Sequence, residues 1–508
     1  MTKKIDSLED LANLCESLRE NGNRIVLCHG VFDLFHIGHL RHFQTAKKHG
    51  DILIVSLTGD AYVNKGPGRP VFPSELRSEL LASLDIIDYV AVVEDHSANP
   101  IIEAVKPHFY VKGGEYSNAA SDITGKITVE IQLVEGFGGK VVYTDEITFS
   151  SSNLLNSHFN LLDKPVQVFL SKLKEDGAEA KIEKCFEDMS KLKVVIIGES
   201  IIDEYQYVSP MGKAAKEHII AAHYSNEERF AGGVVAAANH IASLCGELEV
   251  VTLLGDDEPY ASFVREQLDP SIKLTEIVRP NSPTVRKIRF VEPTYVRKLF
   301  EVCHMDDAPL SDELQKRLNR ILLPKLREAD VVLVCDFGHG FISSKTIDLL
   351  ERDSKFLALN VQSNSANQGY NLVTRYRRAN LLCIDAMEAR LATQDKHSSL
   401  SSIVAEELPR RINCNSIIVT HGKSGCYTFD PVAREPVHVP AFKHTVVDTI
   451  GAGDAFFVMA SLFSAVGADN RLAAFVGNVA GAVKVGVVGH RESITKLKMR
   501  RSIITLMK

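Results

Sequence analysis

No stretch of this chain holds about 18 consecutive apolar residues, the length a helix needs to cross a bilayer. Its first twenty residues mix charge with leucine at helical spacing and lack the apolar core of a secretion signal. Neither a membrane span nor export is expected. Basic residues are not in excess either: 58 Lys and Arg face 65 Asp and Glu, for a formal charge of -7. A general nucleic-acid binder needs local clusters of cations to neutralise phosphates, so nucleic acid is excluded as a partner. Polyphosphates held by local loops are not excluded. The nine cysteines, among them Cys28, Cys185, Cys303 and Cys414, are scattered with no C-x-x-C pair, which reads as reduced core thiols in a cytoplasmic protein. Internal repeats and low-complexity segments are also missing.

What is there is ordinary globular material, 45% hydrophobic and 24% charged over 508 residues, enough for two to four domains. Short apolar runs at Arg24–Cys28, Asp51–Leu57, Tyr89–Val93 and Phe109–Val111 alternate with helical stretches such as Phe35–His49 and Ser74–Leu84. That alternation is the pattern of a parallel α/β sheet. It ends near Asn160, and 161–192 turns rich in Lys and Glu without strand character, as a helical connector does. A second α/β series opens at Lys193–Ile197 and continues through Val250–Leu254, Val331–Cys335, Phe356–Leu359, Leu381–Ile384 and Ile417–Thr420. The expected division is 1–160, 161–192 and 193–508.

The first chemical signal lies where the first strand meets the first helix: His29-Gly30-Val31-Phe32-Asp33-Leu34-Phe35-His36-Ile37-Gly38-His39. Histidines three apart at a helix start face one way, beside backbone amides that favour anionic oxygens. Such a pair stabilises charge developing on a triphosphate. On spacing alone, a metal pair and two core histidines remain open. The segment resembles the nucleotidyltransferase superfamily that carries H-x-G-H, and within it the adenylyltransferase half of bifunctional heptose kinase/adenylyltransferases. The resemblance spans Arg24 to Asn156 and includes Lys65-Gly66-Pro67-Gly68-Arg69-Pro70-Val71, Val111-Lys112-Gly113-Gly114-Glu115-Tyr116 and Phe149-Ser150-Ser151-Ser152-Asn153.

This resemblance implies a Rossmann-like domain in which a sugar 1-phosphate oxygen attacks the nucleotide α-phosphorus and pyrophosphate leaves with Mg²⁺. Catalysis is then positioning and charge stabilisation, with His36, His39 and Lys47 on the triphosphate. Gly30, Phe32, Lys112 and Gly113 are implied to contact nucleotide or acceptor phosphate, a solvated loop lysine being the other reading of Lys112. Ser150, Ser151 and Ser152 either donate to the β- and γ-phosphates or cap a helix. Asp33 orients the loop or stabilises a turn. Heptose-type relatives use ATP. Relatives that use CTP carry R-T-E-G-I-S, absent here, so ATP is favoured over CTP.

The second signal is Asp448-Thr449-Ile450-Gly451-Ala452-Gly453-Asp454-Ala455-Phe456. Its glycines let amides converge on an anion at a helix start, and the following carboxylate can accept a hydroxyl proton. It resembles the C-terminal signature of ribokinase-like (PfkB) sugar kinases. Other landmarks follow in order: Gly198 to Asp203, Phe230-Ala231-Gly232-Gly233, and Thr420-His421-Gly422-Lys423-Ser424-Gly425. The resemblance implies a ribokinase-like α/β domain with Asp454 as general base, the amides of Ala452 to Asp454 on the γ-phosphoryl, and Gly451, Ala452 and Gly453 at the nucleotide. A helix cap is the other reading of Asp454. Asp203, Gly232, Gly233 and Asn239 are implied at the sugar, Thr420, Gly422 and Gly425 beside ATP, and Glu388 at Mg²⁺ through water.

The chain departs from that pattern at several places. Val234 to Ala238 intervene between the di-glycine and Asn239, and Asp385 stands for the asparagine of N-x-x-E. Asp336-Phe337-Gly338-His339-Gly340 replaces D-Y-x-K-G, and Asn360 occupies a strand end where aspartate is common.

The expectation is a bifunctional enzyme: a kinase that phosphorylates the anomeric hydroxyl of a heptose 7-phosphate-like sugar, and a transferase that makes a nucleotide sugar. The domain order is the reverse of that in the heptose enzymes. Two alternatives stand beside it, a CTP-dependent transferase fused to a kinase for another sugar or polyol, and a C-terminal half that is a non-catalytic sugar-binding or dimerisation module. Ribokinase-like enzymes imply a homodimer or higher oligomer.

Overall fold

A computed structural model describes residues 3–63, 70–114, 126–144, 162–214, 216–430, 434–442 and 446–507. The chain forms two compact units, one of 1–161 with 500–506 and one of 162–499. Among the described residues no helix is long and apolar enough to cross a membrane.

The first unit is a six-stranded sheet of β1 Lys3–Ile5, β2 Ile25–Gly30, β3 Ile52–Thr58, β4 Tyr89–Val93, β5 Phe109–Gly113 and β6 Lys140–Thr144. The order is β1-β4-β3-β2-β5-β6. Every pairing is parallel, so both faces need crossover helices. Successive side chains of a strand point to opposite faces, and the apolar runs divide accordingly. Ile25, Leu27 and Ile54 join one core with Leu11 and Ile101. Val26, Cys28, Leu53 and Val55 join the other with Phe43 and Leu81. Truncating Leu27 to Ala should cost about 2 to 5 kcal/mol through lost transfer energy and the cavity left behind. From β2 the chain builds β3 and β4 on one side, then crosses to place β5 on the other. The crevice at such a reversal lies beyond the carboxyl ends of β2 and β5.

The second unit contains β7 Lys193–Lys213, β8 Ile220–Gly232, β9 Glu247–Gly255, β10 Lys273–Arg279, β11 Val285–Glu292 and β12 Arg297–His304. It continues with β13 Val331–Asp336, β14 Leu357–Val361, β15 Arg378–Asp385, β16 Asn413–Thr420, β17 Cys426–Asp430 and β18 Glu435–Val439. The main sheet runs β10-β9-β7-β13-β14-β15-β16-β17-β18. It is parallel as far as β16 and antiparallel through β17 and β18. Strand β7 continues past the main sheet into a smaller one of order β8-β7-β11-β12. The small sheet departs from the expected series because β8 and β12 are exposed over most of their length, without the apolar alternation of a half-buried strand.

The segment expected as a helical connector forms two helices, Lys164–Glu175 and Ala178–Met189. Each buries one apolar stripe. Phe186 meets Phe463 edge-on with ring centroids 5.3 Å apart, so this segment packs as part of the second unit. At its centre the helix Ala452–Ala465 is apolar all round and buried over most of its length, beside the helix Asn470–Lys484. Gly477 permits that approach: a Cβ there would meet the Phe456 ring at 2.8 Å.

Candidate active sites

In the first unit β2 ends at Gly30 and the chain turns through Phe32 and Leu34, both at positive φ (49° and 55°), before entering the helix Ile37–Lys47. Left-handed backbone at two bulky residues must be held from outside. Two groups do so. Asp33, buried, accepts the amides of Val71 at 2.9 Å and Phe72 at 3.2 Å, so it orients the loop. Arg77, 2% exposed, donates to the carbonyls of Val31 at 2.6 Å, Phe72 at 2.8 Å and Thr58 at 3.0 Å and pairs with Asp60. Arg77 carries no signal in the sequence because all three carbonyls are backbone.

His36 is the N-cap of the helix, its Nδ1 accepting from the Gly38 amide at 3.1 Å, and His39 Nδ1 accepts from the His36 amide at 3.4 Å. The two rings stack with centroids 3.9 Å apart. With both Nδ1 atoms used as acceptors, each neutral ring carries its proton on Nε2, the donor a phosphate oxygen requires. Phe32 packs edge-on to His39 at 5.4 Å and fixes its plane. His29, at the end of β2, meets Ser56 Oγ at 2.9 Å and Thr58 Oγ1 at 3.4 Å.

Lys112 and Gly113 end β5 beside β2, on the other side of the crevice. Lys112 is a buried strand residue that pairs with Glu130 at 2.9 Å, so the solvated-loop reading does not describe it. Glu130 also accepts from Tyr110 Oη at 3.1 Å. Desolvation first, and the Lys112 charge second, hold the neighbouring His42 imidazole down at about 4, so it is neutral.

Lys47 is a correction to the expected triphosphate set. It closes the last turn of the helix that His36 opens, pairs with Asp88 and donates to the Asp51 carbonyl at 2.8 Å, both just ahead of strand starts. Eleven residues of helix rise about 16 Å, which carries it to the opposite edge of the sheet. Ser150, Ser151, Ser152 and the run Lys65 to Arg69 lie outside the described residues.

In the second unit Gly451, at φ +75°, turns the chain into the helix Ala452–Ala465. Among the described residues the amides of Gly451, Gly453 and Asp454 have no backbone acceptor. Orphan amides of this kind at a helix start bind anions. Asp454 is 9% exposed and accepts from Gln362 Nε2 at 2.7 Å, while Gln362 also donates to Asn360 Oδ1 at 2.9 Å. Asn360 thus takes part by orienting Gln362. Burial pushes the Asp454 carboxyl up, as suits a proton acceptor.

Asp203, on β7 where it enters the small sheet, is buried against Arg289 of β11 and lies 3.4 Å from His490 Nε2. Burial opposes its ionisation, but hydrogen bonds from His490 and Arg289 hold the carboxyl well below the usual range. The di-glycine is explained by this carboxylate. A Cβ on Gly232 would meet Asp203 Oδ2 at 2.2 Å, and one on Gly233, at φ +58°, would meet the Glu199 carbonyl at 2.5 Å. Asn239 is not brought to Asp203 by its amide, which donates to the Gln267 carbonyl and accepts from Asp269, both at 2.9 Å.

Glu388 accepts the amides of Ser363 at 2.9 Å and Asp385 at 2.7 Å, the latter within the capping box of the helix Ala386–Thr393. Burial, with Asp385 and Asp454 nearby, pushes it up to about 7. Asp385 in place of asparagine keeps the cap by accepting from the Met387 amide at 2.7 Å. Thr420 ends β16, and the turn after it needs its glycines: Gly422 lies at φ +49°, and a Cβ on Gly425 would meet the Val439 carbonyl at 2.1 Å. Glu199, 0% exposed, accepts the amides of Phe337 at 3.2 Å and His339 at 2.9 Å, and burial together with Asp336 raises it to about 7.

The chain matches the family described as pfkB family carbohydrate kinase over residues 191–497 and that described as cytidylyltransferase-like over residues 27–155. The "Bifunctional protein HldE" of Bradyrhizobium diazoefficiens is 31% identical over 320 residues, 61% of this chain and 63% of that protein. The protein of that name from Trichlorobacter lovleyi is 40% identical over 140 residues, 27% of each chain. The match to the Bradyrhizobium relative therefore spans less than two thirds of its length. Among solved structures, phosphofructokinase-2 from Escherichia coli in complex with substrates and products covers 62% of this chain and 99% of that chain, with a TM-score of 0.50 and 14% identity. That likeness is one of fold.

Proposed function

We propose, for a chain that belongs to the pfkB family of carbohydrate kinases and carries a cytidylyltransferase-like unit before it, a two-reaction enzyme of nucleotide-sugar synthesis. The second unit transfers the γ-phosphoryl group of ATP to the anomeric hydroxyl of a heptose 7-phosphate-like sugar. The first joins a sugar 1-phosphate to a nucleoside triphosphate, ATP before CTP, releasing pyrophosphate. The HldE relatives support the pairing of the two activities.

One observation carries the kinase assignment. A buried carboxylate, Asp454, sits in the first turn of a helix whose leading amides are open, and Gln362 orients it. Asp454 takes the proton of the sugar hydroxyl as its oxygen bonds to the γ-phosphorus, the bond to the β-bridging oxygen breaks and ADP leaves. The open amides of Gly451, Gly453 and Asp454 offset charge on the transferring group, and Asp203 accepts sugar hydroxyls. The turn of Thr420, Gly422 and Gly425 lies beside ATP.

In the first unit the Nε2–H groups of His36 and His39 stabilise the triphosphate as the acceptor phosphate oxygen attacks the α-phosphorus and pyrophosphate departs. Gly30, Phe32, Lys112 and Gly113 line the crevice that receives nucleotide and acceptor, and the three serines 150–152 are proposed as donors to the β- and γ-phosphates.

Both reactions use triphosphates, for which Mg²⁺ is the usual counter-ion. It would be held through substrate phosphates and one or two carboxylates rather than in an all-protein cage. Glu388 fits that role through a water, since each of its oxygens keeps a lone pair beyond the amide it accepts. The ion would supply charge neutralisation on the phosphates. The nine free cysteines support a reducing, cytoplasmic setting, and the exposed Met211, Ile220, Tyr224 and Phe300 of the small sheet support a homodimer.

The test is a panel of sugar phosphates incubated with ATP or CTP, reading ADP and pyrophosphate separately. The reading expects ADP with heptose 7-phosphate and pyrophosphate with heptose 1-phosphate and ATP. Pyrophosphate only with CTP moves the first unit to a cytidylyltransferase. No sugar-dependent ADP across the panel makes the second unit a binding module.

A further inference from the structure

The second unit hides a lysine that neither reaction step uses. Lys484, 1% exposed, is the last residue of the helix Asn470–Lys484. Lysine is almost never fully buried without a partner, because its ammonium is strongly hydrated. The nearest carboxylates are not its hydrogen-bond partners here. Its ammonium donates to two backbone carbonyls, that of Ile450 at 3.0 Å and that of Gly489.

The same two residues are held from their amide side by one carboxylate. Asp448 Oδ1 accepts the Ile450 amide at 3.1 Å, and Asp448 Oδ2 accepts the Gly489 amide at 2.9 Å. An anion and a cation therefore grip Ile450 and Gly489 from opposite backbone groups. Tyr205 and Lys298 fix the anion in turn, Tyr205 Oη donating to Asp448 at 2.6 Å.

What is gripped is the turn that binds the transferring phosphate. In a trans peptide the carbonyl and the amide point to opposite sides. With the Ile450 carbonyl on the ammonium, the Gly451 amide of the same peptide faces away from it and heads the open amides of the helix start. A cation on that carbonyl polarises the peptide and strengthens the amide as a donor. On the other strand of the clamp, Gly489 leads into His490, whose ring fills the place of a Gly451 side chain: a Cβ there would meet Cε1 at 2.3 Å. The same ring reaches Asp203 at 3.4 Å.

We propose that Lys484 is a built-in cation, a positioning residue that locks the Asp448–Gly451 turn and the Gly489–His490 segment in the shape that binds phosphate and sugar together. The assignment rests on the kinase reading of the second unit. Burial pulls the ammonium toward its neutral form, while Asp448, Asp454 and Asp203 act to keep it charged.

A covalently attached cation makes two signatures that a merely structural lysine does not. Wild-type full-length protein, assayed for ADP release with ATP and heptose 7-phosphate, should turn over equally in tetramethylammonium, ammonium and potassium salts. Lys484→Ala should lose on the order of 100-fold in kcat, with roughly tenfold regained in methylammonium chloride and none in tetramethylammonium chloride of equal ionic strength. Pyrophosphate release by the first unit should not change. The unfolding midpoint of Lys484→Ala should rise in methylammonium over tetramethylammonium, a readout that needs no turnover.

Wild-type turnover that depends on added ammonium or potassium overturns the proposal. So does Lys484→Ala with wild-type kcat, or with losses that the two organic cations affect alike. Should Lys484→Ala not fold, Lys484→Met keeps the stem and the wild-type salt series still decides. If wild-type protein forms no ADP from heptose 7-phosphate while the Lys484→Ala midpoint responds to methylammonium alone, the substrate reading falls and the clamp stands.

Discussion

On the proposed reading the two units meet the same problem, a polyphosphate at the start of a helix, and solve it with opposite materials. In the first, side chains do the work: His36 and His39 close the helix start with a reciprocal cap and present imidazole N–H groups. In the second, the helix start is left open, Gly451 brings bare amides forward, and the charged groups stand behind the backbone. Buried charge is distributed differently as well. Lys112 and Glu130 neutralise one another at 2.9 Å in the first unit, whereas the second holds both a buried pair, Asp203 with Arg289, and a buried carboxyl, Glu388, whose donors among the described residues are backbone amides. A site built from side chains is readable one residue at a time. A site built from backbone depends on what holds the backbone.

The sharpest way to break this contrast is at Asp454, the one side chain the second site requires for proton transfer. Asp454→Asn is expected to lower sugar-dependent ADP release by about 10² to 10⁴-fold and leave pyrophosphate release unchanged. Loss of both in a folded protein would show that the units do not work independently. Next in size, His36→Ala should lower nucleotidyl transfer by about 10² to 10³-fold, the loss seen when one transition-state donor is removed, with kinase turnover intact.

A third test concerns unpaired burial. Burial pushes the Glu388 carboxyl from its ordinary value near 4.5 up to about 7. Between those values the folded protein holds a proton that the unfolded chain has released, so stability falls as pH rises through the window and stays lower above it. Glu388→Gln should flatten that slope, removing on the order of 3 kcal/mol of change in urea-unfolding free energy. A slope equal to wild type would show that the carboxyl is ionised throughout. The smallest effect is expected at Lys47. Lys47→Ala removes a half-exposed ion pair far from the crevice, costing less than about 1 kcal/mol and changing transfer rates by less than about twofold.

Much of the scaffold was legible beforehand because a strand buried on both faces of a parallel sheet must be an almost unbroken apolar run. Val250–Leu254, Val331–Cys335 and Ile417–Thr420 all lie within strands of the main sheet. The strands β8 and β12 escaped notice because most of their residues are exposed whichever way they point, so no period-two pattern marks them. The glycines of Gly451-Ala452-Gly453 and the paired histidines were legible for a related reason, since their chemistry depends on neighbours within one turn.

The features that follow from residue order are thus local: which segments are strands, where strand meets helix, and which residues at those junctions can face an anion. The tertiary structure alone decided which distant groups arrive there. Arg289 reaches Asp203 across 86 residues, Tyr205 reaches Asp448 across 243, and Lys47, eleven residues from His36, is carried to the far edge of the sheet. Lys484 is the extreme case. Its charge predicts a solvated surface, and only the folded arrangement of two carbonyls makes a buried ammonium the better state, because hydrogen bonds to fixed backbone oxygens replace the water it gives up.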